Sequence, residues 1–145
     1  MNLLKGQHPL TFVPKSSGGL RACCDLRQLN KFVQRPTYPC PTHRDVVARI
    51  DTGSCYFTKM DTLWGYWQVP LAPESQLLTT FITPWGRYKY LRAPMGLRSA
   101  GDEYDRRGDI ALSGIEQIGK IRDHTLAWDC HFGAHVQRIC TILLR

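Results

Sequence analysis

Two aspartates carry the first chemical suggestion in this sequence of 145 residues. Asp61 closes the run YFTKMD, residues 56–61, where Tyr56, Thr58 and Met60 alternate onto one face as they do in a strand. Asp123 lies within GKIRDHTLAW, residues 119–128, between two short apolar runs. An Asp followed by a polar residue in that setting marks a hairpin turn. If the two strands are neighbours in one sheet, both carboxylates meet at its edge. Carboxylates converging from separate elements can hold divalent cations that bridge to phosphates. Two such ions, roughly 3.5–4 Å apart, stabilise the attacking and leaving oxygens of a phosphoryl transfer. Taken singly, Asp61 reads first as a strand-ending residue and Asp123 as a turn former.

The elements that would position this pair are legible along the chain. LTFVPK (10–15) and LRACCD (20–25) read as two strands joined by SSGG, a hairpin with a basic-flanked tip. Three prolines between Gln34 and Pro41 make an extended connector. A short helix follows, with Thr42 as N-cap, Asp45 at N3, and Val46, Val47 and Ile50 facing inward, ended by Gly53. LLTTFITP and RYKYLRA, joined through Trp85 and Gly86, read as a second hairpin. Ser99 can cap a helix to about Ser113, with Asp102 and Glu103 in the first turn where the macrodipole favours acids. After the hairpin at 116–128 comes a helix from about Phe132, with Val136, Ile139, Cys140, Leu143 and Leu144 as its apolar stripe. Strands that come in hairpins rather than in βαβ alternation predict an α+β fold with antiparallel sheet.

Composition bounds the partners. The chain is 43% hydrophobic and 21% charged, as ordinary globular domains are, and its length suits one domain. No apolar run approaches the roughly 18–20 residues of a membrane span. The start, MNLLKGQHPL, has too short an apolar stretch for a signal peptide, so the expected location is intracellular, in cytoplasm or nucleus. The net charge of +7 is uneven: residues 1–50 hold eight Lys or Arg against Asp25 and Asp45, and residues 51–145 hold eleven against ten acids. A basic segment beside a near-neutral one suits a polyanion-binding lobe on a chemical core, or simply a solvated basic face. The six cysteines form no CxxC pair and suggest free thiols in a reducing compartment. Cys130, His131, His135 and Cys140 match no common zinc spacing.

Four stretches occur in order: VPKSSGGLRACCDLRQLNK (13–31), YFTKMDTLWGYWQVPL (56–71), FITPWGRYKYLRAPMGLRSA (81–100) and DHTLAWD (123–129). Together they resemble the reverse transcriptase domain of gypsy-type LTR retrotransposons, and more distantly that of retroviruses, over about residues 10–145. The resemblance implies the fingers and palm of a right-hand polymerase, with an antiparallel palm sheet backed by helices. Fingers would take about 10–50 and 72–93, and palm about 51–71 and 94–145. It implies that Asp61 and Asp123 hold Mg²⁺ or Mn²⁺ with help from the Thr62 carbonyl, and that Tyr66 screens the 2′-position of an incoming deoxynucleotide. Lys15 and Arg21 would close on the dNTP triphosphate, and the loop at Pro94, Met95 and Gly96 would lie under the template base and nucleotide. Asp25, Arg27 and Asn30 would contact or position the template strand. The implied reaction is attack of a primer 3′-hydroxyl on a dNTP, templated by RNA or DNA. The remainder of a Pol polyprotein is a further implied partner.

The sequence departs from the family where the chemistry is concentrated. His124 stands where the family's hairpin carries a second aspartate, and an imidazole supplies no negative charge and suits Mg²⁺ poorly. Arg122 and Trp64 replace usually small or apolar residues, and Gly101 replaces a frequent proline. The thumb, connection and ribonuclease H domain that follow in the family are expected to be absent from this chain. The expectation is a reverse transcriptase fragment that is inactive alone. The rival readings are a non-catalytic nucleic-acid-binding remnant and a decayed fragment without function.

Overall fold

Turn chemistry divides the chain much as expected. A computed structural model describes residues 8–16 and 18–145; Met1 to Gln7 of the opening segment, and Ser17 of the SSGG tip, lie outside the described residues. The elements are β1 (Leu10–Pro14), β2 (Leu20–Cys24), α1 (His43–Val47), β3 (Tyr56–Asp61), α2 (Pro73–Gln76), β4 (Phe81–Thr83), β5 (Gly86–Tyr88), α3 (Ala100–Ala111), β6 (Ile118–Ile121), β7 (His124–Asp129) and α4 (Phe132–Leu143). Short 3-10 turns stand at Leu29–Lys31, Gly65–Gln68 and Leu77–Thr79. All strand pairing within the sheets is antiparallel, and the fold is α+β. No helix among the described residues is long and apolar enough to cross a membrane.

Two compact units share the chain: Met1–Pro36 with Tyr66–Gly101, and Thr37–Gly65 with Asp102–Arg145. In the first unit, β1 pairs with β2 from Leu10↔Cys24 to Pro14↔Leu20, and β4 pairs with β5. Its core gathers Cys24, Leu26 and Leu29, against which Leu10, Val33, Leu78, Phe81, Tyr90 and Leu97 pack. Burial beside Asp25 pushes the Cys24 thiol up to about 11, so it packs as a neutral apolar group. The second hairpin is shorter than its sequence suggested. Leu77–Thr79 coils into a 3-10 turn in which the Thr79 and Thr80 hydroxyls donate to the Gln76 and Leu77 carbonyls. Those threonines bond the backbone locally instead of extending a strand.

The second unit is built on one sheet in the order β3-β7-β6. β7 is central, which is why Ala127, Trp128 and Asp129 are buried. Helix α1 begins with the expected capping box: the Asp45 amide donates to the Thr42 hydroxyl, and the Thr42 amide donates to the Asp45 carboxylate at 2.7 Å. Val46 is buried and Ile50 half-buried, but Val47 is 62% exposed. A helix this short turns only one residue fully onto the sheet. Gly119 of β6 receives Val46 there, and a Cβ at position 119 would overlap the Val46 Cγ1 methyl.

Helix α4 also departs from expectation. Val136, Cys140, Leu143 and Leu144 are exposed, and the buried residue is His135. Polar bonding decides which face turns in. His135 Nε2 bonds the Thr58 hydroxyl of β3 at 2.7 Å, and Nδ1 bonds the Asp129 carboxylate of β7 at 3.0 Å. Arg138 donates to both Asp129 oxygens, at 2.9 and 2.7 Å, and to the Glu116 carbonyl and the Gln117 side chain. The Arg138 guanidinium, with His135, holds the Asp129 carboxyl below its ordinary range.

Candidate functional site

β3 and β7 run antiparallel in a register that sets Asp61 opposite His124. β6 and β7 are joined through Arg122 and Asp123, flanked by the pair Ile121↔His124. Arg122 sits in the left-handed region at φ 53°, a conformation costly for a residue with a Cβ. The Thr62 amide donates to the Asp123 carbonyl at 2.8 Å, tying the end of β3 to the hairpin tip. That bond continues the ladder one residue past Asp61. It holds the two aspartate-bearing backbones together whatever the side chains do.

The result is a cluster of Asp61, Asp123 and His124, each offering one ligand atom, with these atoms all within 4.8 Å of one another. The imidazole lies between the carboxylates: Nδ1 is 3.6 Å from Asp61 Oδ1 and Nε2 is 3.9 Å from Asp123 Oδ1. Nδ1 is buried without a hydrogen-bond partner. Both carboxylates face solvent. This is the one such cluster of His, Cys, Asp or Glu among the described residues, and Cys130, His131, His135 and Cys140 do not form another.

The other expected site residues belong to the first unit, except Thr62. Lys15 and Arg21 are exposed on the β1–β2 hairpin, whose tip is closed by the Lys15 amide donating to the Gly19 carbonyl at 3.0 Å. Gly18 and Gly19 stand at φ 80° and 84°, left-handed values that explain the glycines. Arg27 and Asp25 bind each other: the Arg27 amide and guanidinium both donate to the Asp25 carboxylate, at 2.6 to 3.0 Å. These bonds pull the Asp25 carboxyl down to about 2. Tyr66 is half-buried, Met95 is 42% exposed, and Gly96 turns at φ 94°.

Asn30 holds that last turn. Its Nδ2 donates to the Gly96 carbonyl at 2.7 Å, and its Oδ1 accepts from the Arg98 amide at 2.9 Å. The amide therefore fixes the loop carrying Met95 and Gly96. Sequence reading could not have found this, because the partners lie far apart along the chain and no local pattern announces them. Charge follows the units too. Among the described residues, the first unit has nine Lys or Arg against Asp25 and Glu74, net +7, and the second has nine against ten acids, net −1.

Comparison with known proteins adds an independent finding. Residues 13–118 match the family described as reverse transcriptase (RNA-dependent DNA polymerase). That span stops before Asp123, so the family match does not itself bring the hairpin carboxylate to Asp61. The chain is 34% identical over 114 residues to the retrovirus-related Pol polyprotein from transposon 412 of Drosophila melanogaster, covering 74% of this chain and 9% of that one. To the Pol polyprotein from transposon gypsy of the same fly it is 33% identical over 127 residues, covering 85% and 12%. The chain thus spans about a tenth of these relatives. Among solved structures, the prototype foamy virus protease-reverse transcriptase matches with a TM-score of 0.80 at 26% identity, over 95% of this chain and 19% of that one. The foamy viral enzyme in complex with double-stranded DNA matches with a TM-score of 0.85 at 23% identity, over 95% and 25%. The shared family model, the retroelement relatives and the shared fold agree, and the chain belongs to the reverse transcriptase (RNA-dependent DNA polymerase) family.

Proposed function

We propose that this chain is the nucleotidyl-transfer segment of a retroelement reverse transcriptase, with fingers over about residues 10–50 and 72–93 and palm over about 51–71 and 94–145. The observation that carries the reading is the convergence of Asp61 and Asp123 at one end of β3 and β7. The donor set fits a divalent cation: two exposed carboxylates and a ring nitrogen with no other partner lie within one coordination sphere's reach. Reverse transcriptases as a family use divalent metal ions. Asp61, Asp123 and His124 would hold one here. Bound there, the ion would neutralise phosphate charge and stabilise the oxygens at the reacting phosphorus.

The chain's own groups supply positioning and charge. Asp61 and Asp123 set a negative focus at the sheet end, and the Thr62–Asp123 backbone bond fixes their spacing. Lys15 and Arg21 present cations on a hairpin whose glycine tip can wrap an anion, which suits the triphosphate of a dNTP. Asn30 holds the Met95–Gly96 loop, whose side-chain-free glycine allows close approach of a base pair. Asp25 and Arg27, paired with each other at the surface, would contact or position the template strand. The +7 of the first unit suits primer–template, and the remainder of a Pol polyprotein would extend the grip.

The test is binding of a dNTP with Mn²⁺, followed by calorimetry. The expected result is metal-dependent binding abolished by Asp61→Ala and by Asp123→Ala, and weakened by Lys15→Ala or Arg21→Ala. Binding indifferent to both aspartates would reject the reading. If primer–template affinity then proved steeply salt-dependent yet unchanged by Asp61→Ala, a non-catalytic nucleic-acid-binding role would replace it.

A further inference from the structure

Resting on that reading of the Asp61–Asp123 centre, we infer that His124 changes its ion preference, from Mg²⁺ to a borderline first-row transition ion of the Zn²⁺ type. The starting point is the composition of the cluster. Two carboxylates alone would be an oxygen-only site, which Mg²⁺ prefers together with retained waters and near-ideal octahedral geometry. Here the residue facing Asp61 across the β3–β7 ladder offers nitrogen instead. Zn²⁺ accepts imidazole nitrogen and carboxylate oxygen together and tolerates lower coordination numbers.

Placement supports the nitrogen as a ligand. The ring is not tied up elsewhere: Nδ1 has no hydrogen-bond partner, although it is shielded from solvent. Nδ1 lies 3.6 Å from Asp61 Oδ1 and Nε2 3.9 Å from Asp123 Oδ1, both too long for a hydrogen bond. One ligand atom from each of the three residues nevertheless lies within 4.8 Å of the others, close enough to share an ion. The contrast with His135 is direct, since both nitrogens of that ring are bonded, to Thr58 and to Asp129. His124 is also carried by the central strand, whose register keeps its Cα opposite that of Asp61.

The charge count points the same way. A neutral imidazole in place of a carboxylate leaves two formal negative charges at the centre. That weakens a hard ion, whose binding is almost wholly electrostatic. It affects less an ion that gains from a nitrogen donor.

The experiment is calorimetric titration of Zn²⁺ alone and of Mg²⁺ alone into the full chain, His124→Asp, His124→Asn and Asp61→Ala, each checked for cooperative unfolding. The centre is counted as the equivalent that Asp61→Ala removes, which sets aside binding to the six free cysteines. The expected outcome is that His124→Asp lowers the preference for Zn²⁺ over Mg²⁺ at that equivalent by about tenfold or more. His124→Asn should lose Zn²⁺ affinity without gaining Mg²⁺ affinity. Broadening of His124 ring resonances by Co²⁺, absent in Asp61→Ala, would give the same answer without any affinity. If the Asp61-dependent equivalent persists with the same preference in all His124 variants, the inference falls while the metal centre stands. If no version shows an Asp61-dependent equivalent, the centre itself falls, and the inference with it.

Discussion

An Asp–His pair stands at each end of β7 in the second unit, Asp61 with His124 across the sheet and Asp129 with His135 of α4, and the two are opposites. At one end, Asp129 and His135 are buried, and every polar atom of the pair's interface is matched: Thr58 on one side of the ring, Asp129 on the other, and Arg138 spanning both carboxylate oxygens. At the other end, Asp61 and His124 face each other across the same two strands with no hydrogen bond between them. The same residue types serve two purposes, and satisfaction of their hydrogen-bonding capacity tells the purposes apart. A buried pair must be fully bonded, or its desolvation would unfold the sheet. At the other end the donor atoms of exposed Asp61 and half-buried His124 converge and stay unbonded, which is what the proposed metal centre calls for.

The largest expected effect is therefore at the buried end. Asp129→Ala leaves Arg138 and His135 without their anion, and should cost about 3 kcal/mol in denaturant unfolding. The same group gives a pH dependence with a definite sign. The Asp129 carboxyl is held below its ordinary value by Arg138, so its contribution is full above the usual aspartate range and disappears as pH falls through the lowered value. Asp129→Ala should accordingly flatten the acid limb of the stability profile. A variant with an unchanged acid limb would show that the network adds no stability.

Next in size is Gly119→Ala on β6, which pushes a methyl group into Val46 and should cost about 2 kcal/mol by overpacking α1 against the sheet. A thermal melt matching the parent would mean that α1 yields freely and does not fix the sheet. Asn30→Ala offers a third comparison, a bonded polar group in the other unit. Losing its bonds to Gly96 and Arg98 should cost about 1 kcal/mol and speed amide exchange at residues 95–98. Unchanged exchange there would show that the loop holds its shape unaided. The smallest effect belongs to the open end. Asp61→Ala, in the presence of a chelator, should leave stability within about 0.5 kcal/mol, since the carboxylate is exposed and meets only the His124 ring, at 3.6 Å and without a hydrogen bond. A loss as large as that of Asp129→Ala would erase the distinction between the two ends.

Local chemistry made much of this legible beforehand. Glycines at the β1–β2 tip, the Thr42–Asp45 box, and the acids Asp102 and Glu103 at the start of α3 act over a few residues, so their spacing suffices. Where reading failed, the deciding partner was distant. Apolar periodicity gave α4 an inward stripe of Val136, Ile139, Cys140, Leu143 and Leu144, of which only Ile139 is even half-buried. Thr58 and Asp129 instead draw His135 inward, because an unbonded buried polar group outweighs several half-buried methyls. The bonds of Asn30 to Gly96 and Arg98 were out of reach of sequence reading for the same reason, since these partners lie far along the chain.

The sequence by itself determined the chemical vocabulary of the protein: two aspartates in strand-end and turn settings, a histidine beside one of them, cations around a glycine tip, and hairpins rather than crossovers. Those are properties of residue type and short spacing. Tertiary structure alone decided that β3 pairs with β7 in the register that sets Asp61 against His124, and that positive charge gathers in one unit. The physical reason is that a strand's register is chosen by the packing of the whole sheet. A slip of one residue would move each side chain to the opposite face and separate the site.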